Sequence, residues 1–82
     1  MSDFDWKSKL SEIVAETAES ITSSTNTSIT FSLKDTAYCI DFSAQVVTLT
    51  KVSDNSVVFR FPRVPPIGLL VLRAKLKGMS QN

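Results

Sequence analysis

Between residues 28 and 61 the chain alternates apolar and polar residues in four short segments, and the breaks between them are only three or four residues long. Ile29, Phe31 and Leu33 make the first set, followed by the break "KDT". Tyr38, Ile40 and Phe42 alternate with Ala37, Cys39 and Asp41 in the second, which ends at "SAQ". "VVTLTKV" is β-branched and threonine-rich, "SDNS" is a polar turn, and "VVFRF" follows. Period-two patterning predicts strands with one packed face and one wet face. Parallel neighbours need a crossover of a dozen or more residues, so breaks this short demand antiparallel pairing. The expectation is a four-stranded meander over about residues 28–61, with Phe59 and Phe61 on one face and Arg60 on the other.

Such a sheet needs a cover, and the flanking segments offer two helices. Trp6, Leu10, Ile13, Val14, Thr17 and Ile21 lie at helical spacing, with Glu12, Glu16 and Glu19 on the other side. This predicts an amphipathic helix over about 4–21, capped by Ser2 or Asp3, with an Asp5–Lys9 pair four residues apart. Seven of the nine residues in "SITSSTNTS" are Ser or Thr, which compete for backbone hydrogen bonds. They predict a polar connector over about 22–28.

After Pro62, Pro65 and Pro66 suit a turn and a helix start. Leu69, Leu70, Leu72, Ala74 and Leu76 favour helix, and Gly78 suits its stop. The prediction is a C-terminal helix over about 66–77 and a frayed "MSQN" tail. A fifth strand over 70–77 is the rival, because Leu72, Ala74 and Leu76 alternate with Arg73, Lys75 and Lys77. The predicted fold is α+β, in the order α-β-β-β-β-α, forming one domain over 1–82.

The residue types present exclude much chemistry. There is one cysteine, no histidine and only two glycines, Gly68 and Gly78. A structural zinc site needs about four Cys or His ligands, and a nucleophile–histidine pair cannot be built. No glycine-rich loop is available to cradle phosphate. The expectation is a protein that is not an enzyme and uses no cofactor or metal. Cys39, inside a predicted strand, is expected to be a small buried hydrophobe. "MSDFDWKSKLSEI" lacks the apolar core of a signal peptide, and the run Val64–Leu72 falls short of the ~20 residues that span a bilayer. A soluble, cytoplasmic protein is therefore expected.

The net charge of +1 hides a split. Residues 1–36 hold three lysines against six acidic residues, and residues 37–82 hold six cations against two. Either the basic end binds a partner, or an acidic and a basic helix face one another. Lys51, Arg60, Arg63, Arg73, Lys75 and Lys77 are the candidate partner-binding residues. The expected function is a small protein-interaction module, a regulator, inhibitor or accessory subunit, acting through its sheet edge and basic C-terminal helix. Homodimerisation is one stabilising device open to a chain this small. The alternative is a single-stranded nucleic-acid binder that uses those cations and stacks bases on Phe31, Tyr38 or Phe59 of the sheet. Membrane binding is not expected. The apolar residues 67, 69–72, 74 and 76 wrap most of the way round a helix, which fits a well-buried element.

Overall fold

The computed structural model describes residues 5–64 and 66–81. Helix α1 (Trp6–Thr17) leads into strands β1 (Ser20–Ser24), β2 (Ser28–Leu33), β3 (Thr36–Asp41), β4 (Val46–Lys51) and β5 (Ser56–Pro62), and helix α2 (Ile67–Gln81) ends the chain. The five strands form one antiparallel sheet in the order β1-β2-β3-β4-β5. Both helices lie on the same face of this sheet, α1 against β1 and β2, α2 against β5, and they pack against each other. The α+β class and the helix on the sheet agree with the sequence, but the described residues form five strands, not four.

The extra strand takes the last residues of the helix predicted over about 4–21 and the first of the predicted connector. Helix α1 stops at Thr17 because Ala18 is extended (φ −75°, ψ 151°), and Glu19 N–H donates to the Ser32 carbonyl at 2.8 Å. The free edge of β2 thus captures the chain, and every residue of β1 is exposed. Unpaired ladder groups on β2 offer more than hydroxyl–backbone competition does, so serines and threonines fold here as an edge strand. Ile21 consequently leaves the helical stripe and pairs with Phe31. Asp5 is the N-cap, accepting from Ser8 N–H at 3.1 Å, and Lys9 N–H donates to the Asp5 carbonyl. The predicted caps Ser2 and Asp3 lie outside the described residues.

The core is the alternating set read from the sequence. Ile29, Phe31, Leu33, Ile40, Phe42, Val47, Leu49 and Phe61 from the sheet meet Leu10, Ile13 and Val14 of α1 and Leu72 and Leu76 of α2. Each such side chain, moved from water to full burial, contributes about 1.5–3 kcal/mol. A β-bulge breaks strict alternation in β5: Leu49 faces Phe59 but Thr50 faces Val57, so Val58 is the extra residue. Phe59 and Phe61 therefore share the packed face, Arg60 points away, and Val57 is turned outward. Cys39 is half-buried, not buried, because it alternates out of register with Tyr38 and Ile40 onto the uncovered face.

Residues 70–77 are helical, so the fifth-strand alternative for them fails. Helix α2 also runs past Gly78 to Gln81, where the sequence suggests a frayed tail, and Met79 packs against the core. That anchor offsets the roughly 1 kcal/mol a mid-helix glycine costs. Pro66 lies in the turn just before the helix, its carbonyl accepting from Leu70 N–H at 3.1 Å, and Pro65 lies outside the described residues. Gly68, in the first turn, permits a close approach. A Cβ there would stand 2.7 Å from the Pro62 carbonyl oxygen and 3.0 Å from the Phe61 ring. The two glycines of α2 should respond oppositely in urea titrations. Gly68→Ala is expected to cost about 1–3 kcal/mol through overpacking. Gly78→Ala, with nothing within 4 Å of its Cβ, is expected to gain about 0.5–1 kcal/mol. A neutral Gly68→Ala would mean that α2 is not seated so closely on β5.

Candidate functional site

The six candidate cations do not form one patch. Arg60 is exposed on the face of the sheet that carries no helix. Arg63 is half-buried, and its Nη1 donates to the Phe42 carbonyl at 2.9 Å while its backbone N–H donates to the Gln45 carbonyl at 2.8 Å. It fastens the end of β5 to the β3–β4 turn. Lys51 is half-buried at the far end of β4. Lys75 lies over the Phe59 ring, 5.6 Å from its centroid, a cation–π contact worth about 0.5–1 kcal/mol where solvent reaches it. Arg73 Nη2 meets Glu16 Oε2 of α1 at 3.1 Å. The acidic and the basic helix thus face one another, as one of the two readings of the charge split requires. With side chains 43% and 44% exposed, that pair adds little stability. Lys77 is exposed near the end of α2.

The acidic residues in the turns serve the fold. Asp41 accepts the Ser43 N–H at 2.9 Å and the Ser43 hydroxyl at 2.7 Å, and Asp54 accepts the same two groups of Ser56 at 3.2 and 2.8 Å. These hydrogen bonds favour the charged carboxylate. They hold Asp41 below the ordinary aspartate range through the backbone N–H first, and Asp54 through the hydroxyl first. Asp5 is lowered by the Ser8 N–H at the start of α1.

The uncovered sheet face is hydroxyl-rich. Ser23, Thr30, Cys39, Thr50 and Val57 form one cross-strand row, and Ser28, Asp41, Thr48 and Arg60 form the next. The aromatic residues named for base stacking lie on the other face. Phe31 is fully buried and stacks on Tyr38 with centroids 5.8 Å apart, and Phe59 packs beside Phe61 at 5.9 Å.

What sequence reasoning misses is on α2. Its apolar count predicts a helix buried all round, but only one side meets the protein, through Gly68, Leu72 and Leu76. A fold of two layers covers each helix from one side and leaves the far side wet. Ile67 and Leu70 are each 60% exposed, Val64 51% and Val71 37%. Ala74 is exposed as well. Positions 67, 70, 71 and 74 follow the i, i+3, i+4, i+7 rule, so they form a continuous outward stripe. Its sequence signal is the surplus of apolar positions around α2. Beside the stripe, a groove of about 260 Å³ runs between the helices, lined by Lys9, Glu12, Ile13, Pro66, Leu69, Leu70 and Arg73. A larger open depression of about 580 Å³ includes Trp6, Phe42 and Arg63, but its half-buried cation is already committed to the Phe42 carbonyl. No acidic residue occurs from position 55 to position 82. No helix among the described residues is long and apolar enough to cross a membrane. Compared with protein-family models, with curated proteins and with solved structures, the chain gives no match.

Two outcomes separate structural from free charges. Arg63→Ala is expected to lower unfolding free energy by about 1–2 kcal/mol, since it strips a partly buried carbonyl of a charged donor. Arg60→Ala should change it by less than about 0.5 kcal/mol. Equal effects in denaturant would contradict this division. The lowered aspartates also set a sign for pH. Their folded forms take up protons less readily than the unfolded chain does, so their contribution is complete at neutral pH. It is lost as pH falls below about 4 and through the lowered values. Denaturation at pH 7 and pH 3 should show that loss, and Asp41→Asn should make the difference smaller.

Proposed function

We propose that the protein is a small, non-enzymatic interaction module that docks a protein partner through the outward face of α2, with the free edge of β1 as a second contact surface. The observation that carries this reading is the exposed stripe of Ile67, Leu70, Val71 and Ala74. Isolated exposed apolar residues need no explanation, but a contiguous row of them on one helix does. Helices of this kind are read by partners at i, i+3, i+4 and i+7. Lys77 and the acid-free C-terminal third give the rim of the stripe a positive sign, which favours an acidic partner and speeds encounter. Arg73 and Lys75 are engaged by Glu16 and Phe59, so they shape the rim more than they supply free charge.

β1 adds the sheet edge. It is a short strand, fully exposed, with Thr22 as an extra residue where its pairing with β2 shifts. Bulges and short length blunt an edge against indiscriminate pairing while leaving N–H and C=O groups for a chosen strand. At the opposite edge, β5 ends at Pro62, which has no N–H to offer. The nucleic-acid alternative keeps its cations but, among the described residues, has no aromatic side chain on the open sheet face on which to stack bases.

The test is affinity capture from cells that make the protein, with quantitative mass spectrometry and two variants. Ile67→Asp/Leu70→Asp is expected to lower recovery of the protein partner at least tenfold, because central apolar anchors dominate such interfaces. Its circular dichroism should match that of the parent chain, since both side chains are exposed. Arg73→Gln/Lys75→Gln/Lys77→Gln should weaken capture less. Unchanged recovery in the first variant would reject α2 as the docking face. Oligonucleotide binding that drops by orders of magnitude between about 50 and 200 mM salt would favour the nucleic-acid reading.

A further inference from the structure

We infer that the uncovered face of the sheet is where a second copy of the chain packs, face to face, about a two-fold axis that runs along β4. This goes beyond the reading of α2, which stays on the outside of such a pair.

The face is poor in charge. Of the strand residues that the pairing places on it, only Asp41 and Arg60 are charged. Serine, threonine and valine make up most of the rest, and Val46 and Val57 stand 47% and 48% exposed. Val57 is there because of the bulge at Val58, which turns it outward beside Thr50.

The two charges are placed symmetrically. Thr48 lies between them on one cross-strand row, with Asp41 on β3 and Arg60 on β5. Neighbouring strands are about 5 Å apart, so each charge stands one strand spacing from Thr48. Both side chains are exposed. Asp41 accepts its two Ser43 bonds on Oδ1, which leaves Oδ2 for another donor. The Arg60 guanidinium has no ion pair or hydrogen bond among the described residues.

A two-fold axis along β4 lays β3 of one copy over β5 of the other at the same level. Each Asp41 then meets Arg60 of the other copy, and each Cys39 meets Val57, both twice by symmetry. Val46, Thr48 and Thr50 meet their own counterparts on the axis. An axis along β3 would set Asp41 on Asp41, and one along β5 would set Arg60 on Arg60. The charges therefore select one register, and in it the face is its own complement. Sheets packed this way keep their strands within about 30° of each other, as their twist requires.

The area bounds the affinity. In this register three strands of each copy overlap, which removes roughly 800–1,000 Å² from water in total, the size of a weak contact. Dimers therefore form only as concentration rises. The pair would carry its helices on the two outer sides and present two α2 stripes at once, so a partner with two binding segments gains avidity without any new contact.

Sedimentation equilibrium from about 10 µM to 1 mM tests this, since mass action sets the dimer fraction. The weight-average mass should climb from 9.0 kDa toward twice that value. Arg60→Glu, which disturbs no hydrogen bond of the fold, should weaken association at least tenfold, with an unchanged circular dichroism spectrum. Asp41→Asn, which keeps an acceptor for Ser43, should weaken it less. Asp41→Lys should also be monomeric alone, but an equal mixture of Asp41→Lys and Arg60→Glu should dimerise, because both cross-pairs are then of opposite sign. Under mild oxidation Val57→Cys should form a dimer bridged between positions 39 and 57. These positions are two strands apart within one chain, about 10 Å, too far for an internal disulfide. Ala15→Cys, on the exposed side of α1, should not cross-link. A wild-type chain that stays at 9.0 kDa throughout overturns the inference. So does equal cross-linking through position 15, or self-association that is lost in Ile67→Asp/Leu70→Asp but kept in Arg60→Glu.

Discussion

Gly68 lets the backbone of α2 rest against the Pro62 carbonyl and the Phe61 ring, and the rest of the molecule depends on that seat. The sheet has one apolar face, and α1 reaches only its first strands. Without α2, Leu49, Phe61 and the inner side of β5 would face water. The corner after β5 is short, so the helix must land almost at once on the strand it follows. A Cβ at position 68 would force the start of the helix or the Phe61 ring to give way, and Leu72 and Leu76, one and two turns further on, are fully buried.

Most of this architecture can be read in the sequence because it rests on period. Alternation in 28–61 specifies strands, faces and antiparallel order, and the same residues make the core. Boundaries that rest on competition between local and tertiary partners are not legible. Residues 20–21 look like the end of a helix and 22–24 like a connector, because Ile21 continues the helical spacing and serine and threonine hydroxyls are good local partners. They fold as β1 because β2 presents an unfilled edge, which no local rule describes. Gly78 looks like a helix stop, but Met79 finds a place in the core and the helix continues. The bulge at Val58 is invisible for the same reason: only the partner strand reveals that one residue is surplus.

The functional residues are harder still. Lys51, Arg60, Arg63, Arg73, Lys75 and Lys77 are close in composition but not in space, and Arg63, Arg73 and Lys75 already have roles within the fold. Charge counted along a chain cannot distinguish a free cation from one that fastens a turn or neutralises a neighbouring helix. The surplus of apolar positions on α2 is visible, but its meaning hinges on how many layers lie over that helix. In a two-layer fold none does, and the same apolar side chains change from core residues to surface ones.

The order of the strands has a consequence for how the chain organises itself. Each strand pairs only with its neighbours in sequence, so the sheet closes through four short hairpins with little loss of chain entropy. The helices meet across most of the chain, where Glu16 and Arg73 lie 57 residues apart. Neighbour-only strand pairing keeps the hairpin contacts local, with the helix pair as the step that spans the chain. Damage at the helix contact should therefore be felt chiefly in how fast the native state opens, while the hairpins set how fast it is reached.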